Sequence, residues 1–220
     1  MLDDVLPTQV RSCYLITSAG SADLTNFEHL HPLERTIVHR AVDARRAEFG
    51  DARWCAHQAL GLLGVEKGPI LRGERGMPLW PTGVTGSLTH TEGFRAAAVA
   101  HTNEIASLGM DAEPAQGLPD HVLDSIARPS ERPQLSELAD RGIACADRLL
   151  FCAKEAVYKA WYPLTYRWLD FDGAEIALRD DGTFIAYLLV RPTPVPLIEG
   201  RWRISRGYVV TAAVVEKLQR

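Results

Sequence analysis

The spacing of hydrophobic positions changes several times along the first half of the chain. Between Pro32 and Leu63 apolar residues recur at helical intervals, which predicts helix in two pieces with Gly50 as the interruption. Short apolar runs separated by Gly, Pro, Thr and Asn follow, at residues 70–71, 84–88, 95–100 and 105–110. Such runs are typical of β-strands, so we expect an antiparallel meander after the helix.

The second half of the chain repeats this order of elements. An apolar stripe of period 3.6 from Ile143 to Leu164 predicts a long helix that ends at Pro163 or soon after. Strand-like runs then return, with a hairpin turn at Arg206-Gly207, at residues 175–178, 184–190, 201–205 and 208–215. No sequence repeat is visible, but the shared order of a long helix followed by strands predicts an α+β fold of two similar small lobes.

The boundary between the lobes is predicted from composition. Residues 114–119 and 128–133 are rich in Pro, Gly and small polar residues, which is typical of connecting segments. We therefore place the boundary just after Glu113, which gives lobes at residues 1–113 and 114–220.

Composition and charge narrow the class of protein. With 46% hydrophobic and 24% charged residues among 220, the chain is long enough to bury a core and too polar for a membrane protein. A net charge of −4 argues against nucleic-acid binding, so an anionic ligand must be bound by local basic segments such as 43–46 and 71–76.

The four cysteines lack C-x-x-C spacing and predict free thiols. The acidic start shows no signal-peptide pattern, and we expect a cytoplasmic monomer.

Two carboxylates stand at the end of a predicted strand, in Gly109-Met110-Asp111-Ala112-Glu113. Strand alternation puts Asp111 and Glu113 on one face, with their Cα atoms about 7 Å apart. Oxygen ligands at this spacing suit Mg²⁺ better than zinc. An ordinary solvated strand end with surface ion pairs is the alternative.

The second long helix carries a further acid and base on one polar face. Glu155 and Lys159 are four residues apart, on the side away from the apolar stripe. They fit either a surface ion pair or a third metal carboxylate with a phosphate-binding lysine beside it.

Basic and hydroxyl side chains of the first half could meet an anion. Arg45 and Arg53 lie eight residues apart, about 12 Å along one side of the predicted helix. Two guanidiniums at that distance can bind two phosphates of one ligand. Solvated arginines are the alternative. The run 86–90 offers two hydroxyls and the His90 imidazole, but Ser87 lacks the Gly-x-Ser-x-Gly context of a hydrolase nucleophile.

Taken together and in this order, these segments resemble the motifs of 4'-phosphopantetheinyl transferases of the siderophore, polyketide and nonribosomal-peptide type, most closely the actinobacterial members. The motifs are Gly76-Met77-Pro78-Leu79-Trp80-Pro81 leading into Gly86-Ser87-Leu88-Thr89-His90, then Leu108-Gly109-Met110-Asp111-Ala112-Glu113, then Phe151-Cys152-Ala153-Lys154-Glu155-Ala156-Val157-Tyr158-Lys159-Ala160. Each motif is weak alone, whereas the ordered set is specific.

The resemblance implies a reaction and a metal. The phosphopantetheine group of coenzyme A would be transferred to a serine of an acyl or peptidyl carrier protein, at an active site between the two lobes. The implied metal is Mg²⁺, with Mn²⁺ as a possible substitute, bound by Asp111, Glu113, Glu155 and the backbone carbonyl of Ala112. The implied catalytic residues are Glu155, as the base acting directly or through water, Asp111 and Lys159.

The resemblance also implies the contacts to coenzyme A. The residues expected around the 3'-phosphate and its neighbours are Arg45, Arg53, Thr89 and His90. The loop expected beside adenine and ribose is Arg72-Gly73-Glu74-Arg75. The diphosphate would meet Lys154, Lys159 and the metal ligands Asp111 and Glu155, and the pantetheine path would be lined by Trp168 and Leu169.

Two other functions fit the same residues. A metal-dependent phosphohydrolase or nuclease could be built on the three carboxylates, although a nuclease would need a positive surface. A non-catalytic coenzyme A-binding module would need the basic cluster and not Glu155.

Overall fold

The first half of the protein combines three helices with six strands, in a computed structural model that describes residues 1–66 and 68–217. The helices are α1 (Thr25–Glu28), α2 (Pro32–Thr36) and α3 (Asp43–Leu62). The strands are β1 (Arg11–Ile16), β2 (Leu71–Arg72), β3 (Pro78–Leu79), β4 (Val84–Thr91), β5 (Phe94–His101) and β6 (Ile105–Pro114).

The second half again places helices before strands. Its helices are α4 (Val122–Ile126), α5 (Arg132–Asp140) and α6 (Ala146–Thr165). Its strands are β7 (Ala174–Leu178), β8 (Thr183–Leu188), β9 (Leu197–Ser205) and β10 (Tyr208–Glu216). The predicted α+β class is confirmed, as is the end of the second long helix just after Pro163.

Two antiparallel sheets, each covered by one 20-residue helix, form the body of the molecule. The first sheet has the order β1-β5-β4 and packs against α3, while the second has the order β6-β10-β9-β8-β7 and packs against α6. Strands β2 and β3 form a separate two-stranded ribbon. The predicted pair of similar lobes is therefore present as a repeated helix-on-sheet unit.

Strand β6 departs from the predicted meander, which is wrong at this point. Instead of pairing with β5, it pairs with β10, so that Asp111 lies opposite Thr211. Its link to β4 is made by side chains, since Thr89 Oγ1 accepts from the backbone N–H of Ala112 at 3.1 Å. The pairing joins segments about a hundred residues apart, and a local hydrophobic pattern does not encode such a partner. The lobe boundary after Glu113 stays a prediction.

The first predicted helix is interrupted elsewhere than at Gly50, and that prediction is also wrong. The break lies at residues 37–42, between α2 and α3, while Gly50 is buried inside α3. A Cβ at this position would lie 2.6 Å from the backbone nitrogen of Phe27. Gly50 therefore allows α1 to approach α3 closely.

A second close approach positions the end of β6 against α6. A Cβ at Gly109 would collide with the carbonyl oxygen of Ala156, and Ser107 Oγ donates to the carbonyl oxygen of Ala160 at 2.6 Å. Because the strand backbone lies directly on the helix, the side chains that follow Gly109 meet the polar face of α6.

Three smaller expectations can be checked against the fold. Arg206 and Gly207 both have positive φ, 52° and 81°, as the predicted hairpin turn requires. All four cysteines are free thiols, as predicted. Among residues 1–66 and 68–217, no helix is both long enough and apolar enough to cross a membrane.

Candidate active site

A cavity of about 300 Å³ lies where α3 and β4 of the first half meet α6 of the second half. Half of the residues predicted to contact coenzyme A line it: Arg45, Arg53, Arg72, Arg75, Thr89, His90 and Lys159. Gly73 and Glu74, predicted for the same wall, lie at the turn between β2 and β3 and do not line this cavity. The fold thus collects basic side chains from distant segments around one space.

Arg45 and His90 form the outer part of this basic cluster. Arg45 Nη1 lies 2.6 Å from His90 Nε2 and 3.0 Å from Glu48 Oε2. Desolvation and then the positive charge of Arg45 lower the pKa of His90, so the imidazole is neutral. Its Nε2 accepts a hydrogen bond from the guanidinium of Arg45. An anion placed here would find a guanidinium and an imidazole side by side.

Arg53 forms the buried part of the cluster. Its side chain is 6% exposed, with Nε 3.8 Å from Glu34 Oε1 and Cζ 4.7 Å from the centre of the Phe49 ring. Burial lowers the pKa of Arg53 to about 10, which still leaves it charged at neutral pH. The buried carboxylate of Glu34 therefore holds one fixed positive charge at the back of the cavity.

Asp111 is the centre of a second, mixed cluster. Its Oδ1 accepts from Lys159 Nζ at 2.7 Å and from Thr89 Oγ1 at 3.0 Å, and Lys159 Nζ also donates to the carbonyl oxygen of Met110 at 3.2 Å. Burial alone would lower the pKa of Lys159, but the charge and hydrogen bond of Asp111 raise it. The partner of Lys159 is therefore Asp111, and the predicted alternative of a surface pair between Lys159 and Glu155 does not describe this helix.

One carboxylate oxygen of this cluster has no partner among the residues that the structure describes. Asp111 Oδ2 is buried and makes no hydrogen bond within residues 1–66 and 68–217. Burial, followed by the nearby charge of Asp111, raises the pKa of both Glu113 and Glu155. Arg148 lies 3.1 Å from one oxygen of Glu113 and opposes this shift.

These carboxylates fit a hard cation chemically. A divalent ion would give the orphaned oxygen of Asp111 a partner and would relieve the repulsion felt by Glu113 and Glu155. As they stand, however, no three His, Cys, Asp or Glu side chains within residues 1–66 and 68–217 form a group that could hold a metal ion.

The two halves of the chain match two family models. Residues 33–100 match the 4'-phosphopantetheinyl transferase N-terminal domain, and residues 107–213 match the 4'-phosphopantetheinyl transferase superfamily. A 4'-phosphopantetheinyl transferase of Streptomyces mobaraensis, Svp, is 53% identical over 196 residues, which cover 84% of this chain and 78% of Svp. The chain belongs to the 4'-phosphopantetheinyl transferase family.

Other relatives agree with this assignment. The transferase is 45% identical over 226 residues to 4'-phosphopantetheinyl transferase Npt of Nocardia iowensis, with 96% of this chain and 98% of Npt covered. It is 44% identical over 194 residues to 4'-phosphopantetheinyl transferase PptT of Mycobacterium tuberculosis, with 84% and 85% covered. The predicted resemblance to actinobacterial members is confirmed.

Lys154 lies apart from the basic cavity of the transferase. Its side chain is 3% exposed, and Nζ lies 2.9 Å from Glu131 Oε2, 2.7 Å from the carbonyl oxygen of Phe171 and 3.1 Å from that of Ala174. All three ammonium protons therefore have acceptors within the second half.

A smaller cavity of about 180 Å³ opens on the other side of Tyr158, whose side chain lines both spaces. Glu155, Trp168 and Leu169 line it. The guanidinium of Arg75 lies over the ring of Trp168, 5.2 Å from the ring centre. This contact links the β2-β3 ribbon of the first half to the second half. Glu155 thus lines the smaller cavity and not the larger basic one.

Sequence reasoning missed two buried acids, each of which pairs with a basic residue of a long helix, Glu34 with Arg53 and Glu131 with Lys154. Glu34 accepts from His57 Nε2 and from the backbone N–H of Ile70, and Glu131 accepts from the backbone N–H of Ile176. Each acid also accepts a hydrogen bond from the backbone N–H of the residue before a helix, Glu34 from His31 and Glu131 from Arg128, in His31-Pro32-Leu33-Glu34 and Arg128-Pro129-Ser130-Glu131. The shared Pro-x-Glu pattern is the signal that could have revealed both.

Proposed function

We propose that this transferase moves the phosphopantetheine group of coenzyme A onto a serine hydroxyl of an apo acyl or peptidyl carrier protein, with Mg²⁺ as the required metal. Adenosine 3',5'-bisphosphate is the second product. One observation carries the proposal: a basic cavity adjoins a carboxylate cluster in which Asp111 Oδ2 has no hydrogen-bond partner in the described part of the chain. Family membership supports the reaction, and the assignments of individual residues below are inferences from the geometry.

The basic cavity is proposed to bind the phosphates of coenzyme A. Arg45 and His90 would receive the 3'-phosphate, because an anion can replace the neutral imidazole as the partner of the guanidinium. Arg53 would contribute a fixed charge from the back wall, and Arg72 and Arg75 would line the nucleoside side. Charge-assisted hydrogen bonds of this type are each worth about 1.5–3 kcal/mol.

The carboxylate cluster is proposed to hold the metal. Asp111 would bind it through Oδ2, since Oδ1 is already taken by Lys159 and Thr89, and Glu113, Glu155 and the Ala112 carbonyl would complete the protein ligands. When bound, the ion would neutralise charge on the diphosphate and on the leaving group, with Mn²⁺ as a possible substitute.

Glu155 is proposed to take the proton of the carrier serine, directly or through a water molecule. Burial and the charge of Asp111 raise its pKa, which brings the carboxylate closer to the basicity that proton abstraction near neutral pH requires. Its position beside the smaller cavity gives the serine a route of approach from the pantetheine side. Lys159 would hold Asp111 in its orientation while adding a positive charge beside the diphosphate.

Lys154 is proposed to stabilise the second lobe rather than to contact the diphosphate, since its three donors are satisfied within the protein. A cytoplasmic location, a monomeric state, the absence of nucleic-acid and membrane partners and the lobe boundary after Glu113 stay predictions from the sequence. Neither a phosphohydrolase nor a non-catalytic coenzyme A-binding module is supported by the family assignment.

Intact-protein mass spectrometry tests the proposal. An apo carrier protein incubated with the transferase, coenzyme A and Mg²⁺ should gain the mass of one phosphopantetheine group, and a chelator added at the start should prevent the gain. An unchanged carrier mass with a folded transferase would contradict the transfer, and a full gain in the presence of the chelator would contradict the metal requirement alone.

A further inference from the structure

Arg148 occupies the first turn of α6, close to the carboxylate cluster, and its side chain is only 12% exposed. The sequence motifs do not include it. Its side-chain hydrogen bonds reach the end of β6 and the segment that follows it. Nη1 donates to Glu113 Oε2 at 3.1 Å, Nε to the carbonyl oxygen of Gln116 at 3.3 Å, and Nη2 to that of Gly117 at 3.0 Å.

Asp147, the residue before Arg148, also binds the segment that follows β6. Asp147 Oδ2 accepts from the backbone N–H of Leu118 at 2.8 Å. The first turn of α6 therefore fixes both the backbone of residues 116–118 and the carboxylate of Glu113. A planar guanidinium suits this task because it makes several hydrogen bonds in fixed directions.

Arg148 shares one face of α6 with two residues of the proposed active site. Glu155 and Lys159 follow it at intervals of seven and four residues, which returns to the same side of a helix. Lys159 pairs with Asp111 and Arg148 pairs with Glu113. Two ion pairs thus connect α6 to β6, and Glu155 lies on the helix between their two cations.

This pattern divides the oxygens of the cluster into two sets. Oδ1 of Asp111 and Oε2 of Glu113 are held by the cations of α6, and Oδ2 of Asp111 has no hydrogen-bond partner among the described residues. Without Arg148, the partly buried Glu113 carboxylate would face the charge of Asp111 with no cation bonded to it, since Lys159 is bonded to Asp111.

We propose that Arg148 is a positioning residue for the metal site, which holds the Glu113 carboxylate so that its other oxygen faces the same ion as Asp111 and Glu155. The inference rests on the metal site of the proposed function. Arg148 contacts neither the metal nor a substrate in this account. It acts through Glu113.

The test measures binding of Mn²⁺, used as a spectroscopic probe for the site, by electron paramagnetic resonance in the presence of coenzyme A. Arg148→Lys keeps the charge and loses the fork of hydrogen bonds, and its Mn²⁺ dissociation constant should rise roughly tenfold to a hundredfold, the range typical of lost outer-sphere partners. Arg128→Lys is the matched control, because Arg128 also bonds a carbonyl oxygen, that of Asp172, and pairs with a carboxylate, that of Glu175, away from the cluster. It should bind Mn²⁺ like the unmodified protein.

A double variant separates positioning from a loss of fold. In a Glu113→Gln background, Arg148→Lys should cause no further loss of Mn²⁺ affinity, because both changes act on one interaction. Wild-type affinity in Arg148→Lys, or an equal loss with and without Glu113, would overturn the inference while leaving the metal site intact. No Mn²⁺ binding by the unmodified protein would overturn the metal site itself and the inference with it.

Discussion

The ammonium of Lys159 lies 2.7 Å from Oδ1 of Asp111, and this contact joins the two halves of the molecule at the proposed reaction centre. Lys159 belongs to α6 and Asp111 to β6, while Thr89 of β4 donates to the same oxygen. One carboxylate is thus held by a helix of the second half and a strand of the first. The orientation of its other oxygen therefore depends on how α6 and β4 pack against β6.

Replacing Glu155 separates catalysis from stability. The ionised form of Glu155 is disfavoured in the fold by burial and by Asp111, so Glu155→Gln should not lower the melting temperature. If Glu155 is the base, the transfer rate should fall by at least about a hundredfold. Glu137→Gln, at an exposed position of α5, is the control and should keep full activity. A lowered melting temperature with an unchanged rate would contradict the catalytic role.

Binding of coenzyme A should take up a proton at His90. The pKa of His90 lies below its usual value in the free protein, whereas a bound 3'-phosphate would favour the charged imidazolium. Affinity should therefore increase as the pH is lowered from about 8 to about 6, the range in which histidine titrates. Calorimetry in buffers of different ionisation enthalpy measures the proton directly.

Two comparisons test whether the pH dependence comes from His90 and the 3'-phosphate. Dephospho-coenzyme A and the His90→Gln variant should each show a weaker pH dependence than coenzyme A with the unmodified protein. An affinity that does not change with pH, or a His90→Gln variant with the same dependence, would rule out His90 as the reader of the 3'-phosphate.

Arg53 and Lys154 occupy corresponding positions in the two halves, each on the long helix and each paired with a buried capping glutamate. Alanine at either position removes a basic side chain beside a buried carboxylate, so the free energy of unfolding should drop by about 1–3 kcal/mol. Only Arg53→Ala should also weaken coenzyme A binding, because only Arg53 lines the basic cavity. Chemical denaturation and calorimetry check both. A loss of coenzyme A affinity in Lys154→Ala as large as that in Arg53→Ala would contradict the structural role given to Lys154.

The sequence predicted the elements whose signal is local. The apolar stripe of the second long helix and the alternation of its following strands appear in the structure with small shifts at the ends. The partner of β6 could not be predicted, because pairing with β10 is a contact across about a hundred residues. Gly50 was misjudged for a related reason. Its role depends on Phe27 of α1, a neighbour in space and not in the helix.

The candidate site also combines residues that a local sequence signal predicts with contacts that only the tertiary structure shows. Asp111, Glu155 and Lys159 were found from spacing and from family motifs, but the spacing suggested Glu155 as the partner of Lys159, and the partner is Asp111. Strand-to-helix contacts of this kind require the tertiary structure. The Pro-x-Glu pattern of the two missed glutamates is a local signal for a helix start, whereas their pairing with Arg53 and Lys154 is a tertiary contact that no local pattern encodes.

The central claim is that Asp111 organises a metal-dependent transfer beside a separate phosphate-binding cavity. Asp111→Asn tests it most directly, since the amide keeps the shape and loses the charge. Mass spectrometry of an apo carrier protein incubated with this variant, coenzyme A and Mg²⁺ is predicted to show no phosphopantetheine adduct at times when the unmodified transferase has finished, while the melting temperature still identifies a folded protein. An adduct that forms at the unmodified rate would contradict the account.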